Sequence, residues 1–185
     1  MKKFSTSLIA LTIVNLFWAS LPVRATGDRT AFYVSSSGSR SQVNYDIQLN
    51  EDCNPADAAS VDYYMLRSDG STRELNSMEQ EGYGIAEQLP LSNNRLDLRL
   101  NVFQQYGIDK TLTISSSKDN TGDCQIKTFT TINDSQSQLS HVYVDVDRTK
   151  VLGVTVRIQI LSLTLVGLEQ QAETITCTEN CVYGL

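Results

Sequence analysis

The sequence predicts an all-β protein: a single antiparallel β-sandwich with one short helix, a β-barrel being the alternative. Three observations carry this. Apolar and polar residues alternate with period two through several separate segments, turn-forming clusters divide those segments, and only one stretch reads as helix. Setting aside an N-terminal export signal leaves 160 of the 185 residues. That is enough for one domain burying roughly two-thirds of its unfolded-chain surface.

The chain opens "MKKFSTSLIALTIVNLFWASLPVRA", with Lys2 and Lys3, an apolar run from Leu8 to Trp18, the helix-breaking Pro22, and Val23 and Ala25 at the minus three and minus one positions. This order predicts a secretory signal peptide over residues 1–25, cleaved after Ala25, and a single domain over residues 26–185. A membrane anchor would need about 20 unbroken apolar residues, and Ser5, Thr6, Ser7, Thr12, Asn15 and Ser20 interrupt the run. The expected location is periplasmic or extracellular, with no membrane span in the mature form.

The first strand is expected near residues 30–35, and "SSSGSR" after it reads as a turn in which Gly38 supplies backbone freedom. In "QVNYDIQLN", Val43, Tyr45, Ile47 and Leu49 share one face against Gln42, Asn44, Asp46 and Gln48. A strand near 61–67 ends at the turn "SDGS". "NSMEQEG" is the one short helix, with Asn76 as cap and Glu79 at the capping-box position. "RLDLRLNVF" alternates again, placing Leu96, Leu98, Leu100 and Val102 together. Strands follow near 111–115 and 124–132, divided by "KDNTGD". In "HVYVDVD", Val142, Val144 and Val146 oppose His141, Tyr143, Asp145 and Asp147. "VTVRIQILSLTLVGL" holds Arg157 and Gln159 and is a strand rather than a membrane span. Val154, Val156, Ile158 and Ile160 share one face and Leu161, Leu163 and Leu165 then take the opposite parity, a slip that predicts a bulge or a break into two strands.

Four cysteines, Cys53, Cys124, Cys177 and Cys181, form an even set in a chain expected to be exported, so disulfides are the default. Of the three pairings, Cys53 with Cys124 and Cys177 with Cys181 is favoured, because "CTENC" closes a small loop. A zinc site prefers paired short spacings and histidines, whereas one C-x3-C stands alone here and His141 is the only histidine. No metal and no cofactor are expected.

Without residues 1–25 the chain holds 12 basic against 21 acidic residues, a net charge of −9. So negative a surface disfavours nucleic acid and anionic lipid. The serines of "SSSGSR" lack the glycine spacing and lysine of a phosphate loop, and a serine nucleophile would have only His141 as imidazole base. His141, Tyr143 and Asp145 share one strand face with neighbours about 7 Å apart, a polar ligand-binding candidate set against the alternative of a solvated face. Tyr64 and Tyr83 are candidates for stacking on a sugar or peptide.

The chain after the signal resembles an exported bacterial family described as a domain of unknown function. The resemblance runs through Val34, Ser37, Val43, Tyr45, Tyr63 and Tyr64, then Glu74, Leu75, Glu79, Tyr83, Gly84 and Ile85, and on through "LTIS", "LSHVYVDVD" and "VRIQILSLTLVG". It implies a small exported β domain and no particular activity. The family's pattern carries an arginine and two asparagines in the first hairpin, where Ser36, Ser39 and Ser41 stand here; Arg40 is out of register. The expected function is non-enzymatic binding of an envelope protein or small ligand. The alternatives are a carboxylate-dependent hydrolase acting on glycans and a purely structural or stress-related envelope protein.

Overall fold

A computed structural model describes residues 29–55, 61–92, 94–177 and 182–183. The expected signal segment and Cys181 lie outside the described residues. Twelve strands are described: β1 Thr30–Ser36, β2 Gln42–Ile47, β3 Val61–Leu66, β4 Thr72–Arg73, β5 Ile85–Ser92, β6 Arg95–Leu100, β7 Leu112–Lys118, β8 Cys124–Ile132, β9 Ser135–Val151, β10 Val154–Gly167, β11 Ala172–Thr176 and β12 Val182–Tyr183. Two short helices interrupt them, α1 Ser77–Tyr83 and α2 Asn101–Gln105. The protein is all-β, and its sheet is not closed into a barrel.

The long strand β9 organises the sheet, whose order is β4-β3-β2-β1-β9-β8-β7-β6-β5, with β10 also pairing along β9. The first residues of β9 pair with β8, up to Gln138 opposite Phe129. Further along, His141 to Val144 pair with Tyr33 to Ser36 of β1. That second pairing is parallel, a departure from the antiparallel sheet the sequence predicts. Alternation reports which face a residue takes and carries no strand direction, so a parallel partner a hundred residues away leaves no local mark.

The two branches turn their apolar faces into one core. It holds Phe32, Val34, Tyr45 and Ile47 from one branch, Leu96, Leu98, Leu112 and Ile114 from the other, and Val142 and Val144 from β9. Tyr45 is fully buried and stacks on Phe32 with ring centroids 4.4 Å apart. Its hydroxyl donates to the backbone carbonyl of Tyr83, which ties the end of α1 to the core. α1 begins as its sequence requires: Asn76 Oδ1 accepts from Glu79 N at 3.0 Å, and Glu79 Oε2 accepts from Asn76 N at 2.9 Å.

One local expectation is corrected. Strand β6 stops at Leu100 and Val102 belongs to α2, where it is fully buried. An inward residue one step past a strand end mimics one more alternation, which is why the helix was not visible. The parity slip in β10 is a bulge within one continuous strand, with the register shifting between Ile160 and Ser162. Leu161 is the extra residue and is 42% exposed, while Ile160, Leu163 and Leu165 are buried together. β5 is a further strand and carries Pro90; it sits at the end of its branch, where a missing N–H is tolerated.

The Cys53–Cys124 disulfide is formed, with Cα atoms 5.4 Å apart, and it fastens the loop after β2 to the start of β8. Cys177 is also disulfide-bonded, and no described cysteine is free. No helix among the described residues is long and apolar enough to cross a membrane.

Candidate functional site

The inward face of β9 changes character along its length. Val142, Val144 and Val146 are buried, and the next two inward positions are Arg148 and Lys150. Across the β9–β10 ladder Arg148 faces Ile158 and Lys150 faces Thr155. The inward parity of β1 does the same, running Phe32, Val34, Ser36. Where the two strands leave the core, a cleft of about 480 Å³ opens, lined among others by Ser36, Ser39, Met65, Met78, Tyr83, Arg148, Lys150 and Ile158.

Arg148 is held from below by neutral acceptors. Its guanidinium donates to Ser36 Oγ at 2.8 Å and to the backbone carbonyl of Ser37. Ser37 in turn accepts from Val146 N at 2.8 Å, locking the turn onto β9. The ion pairs of the described residues are Arg73–Glu79, Lys110–Glu173 and Lys118–Asp52, so neither Arg148 nor Lys150 has a carboxylate partner among them. A half-buried guanidinium positioned by hydroxyl and carbonyl oxygens keeps its full charge for a ligand.

The one carboxylate lining the cleft among the described residues, Glu79, is engaged. Arg73 grips both of its oxygens at 2.6 Å. Burial pushes its pKa up, but the Arg73 hydrogen bonds, the Asn76 N–H and the Arg73 charge together hold it below the usual carboxylate value. Tyr83 is shifted the other way. Burial raises its phenol pKa, partly opposed by hydrogen bonding to Ser36 and by the Arg148 charge, so it faces the cleft as a neutral hydroxyl.

The residues singled out from the sequence fall on two sides of the sheet. Tyr83 lines the cleft, while His141, Tyr143 and Asp145 lie on the outward face of β9, opposite in parity to the buried valines. His141 stacks flat on Tyr33, with centroids 5.0 Å apart, and burial lowers its pKa. No hydrogen bond joins the three side chains to one another. Tyr64 occupies the same cross-strand row as His141, with Asn44 and Tyr33 between them, which separates the two by about 14 Å. Its hydroxyl donates to Asp46 Oδ2 at 3.0 Å. Arg148 and Lys150 are the functional candidates that sequence reading missed. Extending the valine alternation of "HVYVDVD" by two steps reaches both, and the switch from valine to cation at an inward position was the available signal.

These features belong to a framework shared by a known group of sequences, whose model matches residues 32–177. The chain belongs to the DUF4833 family, a domain of unknown function. The match spans β1 to the cysteine after β11, so both walls of the cleft lie within it. No curated protein and no solved structure matches the chain.

Proposed function

We propose that this DUF4833 protein is an exported, non-enzymatic binding domain of the cell envelope whose ligand carries a negative charge and docks in the cleft between the first hairpin, α1 and β9. The observation that carries this reading is the pair of inward cations, Arg148 and Lys150, with no carboxylate partner among the described residues, in a chain whose formal charge is −6. Ser36, Ser39 and Tyr83 add hydroxyls beside them, and Met65, Met78 and Ile158 supply adaptable apolar wall for the body of a small organic anion. Where the family resemblance expects an arginine in the first hairpin, this chain has Ser36, and the guanidinium arrives there from β9 instead.

Hydrolysis of a glycan by two carboxylates is less well supported. Such chemistry needs a protonated acid and a second carboxylate across the bond. The cleft lining offers Glu79 alone, ionised and clamped by Arg73. The disulfides support export, since such bonds persist in oxidising compartments.

Calorimetric titration with inorganic phosphate and with short-chain carboxylates tests the reading. At least one of these anions is expected to bind the native protein, and Arg148→Gln is expected to weaken it about tenfold, equivalent to about 1.4 kcal/mol. Binding that is absent for all of them, or unchanged in the variant, would refute it.

A further inference from the structure

The β9–β10 hairpin ends in a two-residue turn whose chemistry is unlike that of the β8–β9 turn. Val151 pairs with Val154 across Leu152 and Gly153, which have φ of +50° and +82°. Positive φ at both central positions marks a type I′ hairpin turn, which favours Asn, Asp or Gly. The β8–β9 hairpin obeys that preference, placing Asn133 and Asp134 at φ of +49° and +65°. At the β9–β10 tip the first position is leucine, a residue that neither tolerates the left-handed region well nor gains by exposure. Leu152 is 100% exposed, and Val151 and Val154 beside it are 54% and 65% exposed. Folding alone favours a polar residue here on both counts, so the leucine is suited to something outside the chain.

The charges around the tip indicate what that is. The segment "RTKVLGVTVR", residues 148–157, contains Arg148, Lys150 and Arg157 and no acid. The whole chain has formal charge −6, so everything outside this segment sums to −9. Three cations and three exposed aliphatic side chains therefore share one hairpin end, the nearest acid in sequence being Asp147 at its base. Cations at the tip attract an anionic surface at short range, within about a Debye length. Past Val146 the two strands pair with each other, the only other described partner being β12 at Ile158 and Gln159. Aliphatic side chains on a tight turn, flanked by long cationic side chains, match the interface of an anionic bilayer, where the apolar groups enter the acyl boundary and the cations stay at the headgroups.

We propose that the β9–β10 hairpin tip docks this protein on an anionic phospholipid surface, with Leu152 as the inserted residue and Lys150 and Arg157 as its electrostatic anchors. Contact at one turn gives peripheral, reversible attachment. Lys150 and Thr155 flank the tip and also line the cleft, so docking brings the cleft mouth close to the membrane.

Co-sedimentation of the full chain with vesicles of neutral phosphatidylcholine, and with vesicles containing about 30% phosphatidylglycerol, tests this. Binding is expected on the anionic vesicles, weakening as salt is raised. Leu152→Asp is expected to lower the partition coefficient at least tenfold, and Arg157→Gln severalfold. Leu152→Asn separates docking from folding, because asparagine suits the turn: it should keep or raise the melting temperature while losing anionic-vesicle binding. An N-terminal apolar segment retained on the chain contributes equally to parent and variants, so the difference between them reports the tip. Equal binding to neutral vesicles, or partition unchanged in Leu152→Asp and Leu152→Asn, overturns the proposal. Vesicle-free self-association that Leu152→Asp abolishes also overturns it, assigning the tip to a second copy of the chain.

Discussion

Replacing Tyr45 by phenylalanine removes a single oxygen and tests how the core holds the cleft in place. The Tyr45 ring is fully buried between Phe32 and Tyr63, with ring centroids at 4.4 and 5.9 Å, and phenylalanine keeps both contacts. What is lost is the hydroxyl donated to the carbonyl of Tyr83 at the end of α1. Burial, followed by the neighbouring Tyr83 and Tyr63, pushes the Tyr45 pKa well above its ordinary value, so the phenol is a protonated donor at neutral pH. Losing a buried hydrogen bond and leaving its acceptor unpaired costs about 1–3 kcal/mol. For a domain of this size each kcal/mol is about 2–4 °C, so the melting temperature should fall by about 4–8 °C for a mid-range loss of about 2 kcal/mol. Calorimetry or circular dichroism on Tyr45→Phe measures it. A fall of less than about 1 °C would show that α1 is held by its cap and its packing, and that the hydroxyl contributes nothing.

Three further outcomes are expected. Cys53 and Cys124 are 71 residues apart, so opening their bond should cost about 4 kcal/mol in the chain-entropy model, read as a lower urea midpoint for the reduced protein; intact mass of exported protein should show a chain starting at Thr26 with four thiols only after reduction, and a chain retaining residues 1–25 would contradict export. Because the Glu79 pKa is lowered on folding, its ion pair with Arg73 stabilises above the unfolded value near 4.5 and is lost as pH falls through the folded one; Glu79→Gln, which preserves the capping box, should lower stability at pH 7 by at most about 1 kcal/mol after solvent screening, with a gap that narrows as pH is lowered below the unfolded value, whereas a gap independent of pH rules out the charge as its cause.

Much of the β framework was legible because a half-buried strand writes its two environments into alternate residues. Val43, Tyr45 and Ile47 are buried where the alternation places them, and so are Val142, Val144 and Val146. The helix cap at Asn76 was legible for the same kind of reason, since both partners of the capping box lie three residues apart. The bulge in β10 was visible as a slip of parity, though not which residue it expels. Leu161 is expelled because Ile160 and Leu163 both find core contacts, and that outcome belongs to packing.

The candidate cleft was much less legible, and the difference is physical. The amino-acid sequence by itself determined the all-β class, the strand faces, the capped helix and the cysteines available for bridging, all properties set by neighbours within a few residues. Only the tertiary structure decided that β1 lies parallel to β9, and that pairing brings Ser36 and Ser37 to Arg148 across more than a hundred residues of chain. Strand direction and partner choice depend on how distant apolar faces close into one core. A site built across such a pairing exists only once that core has formed.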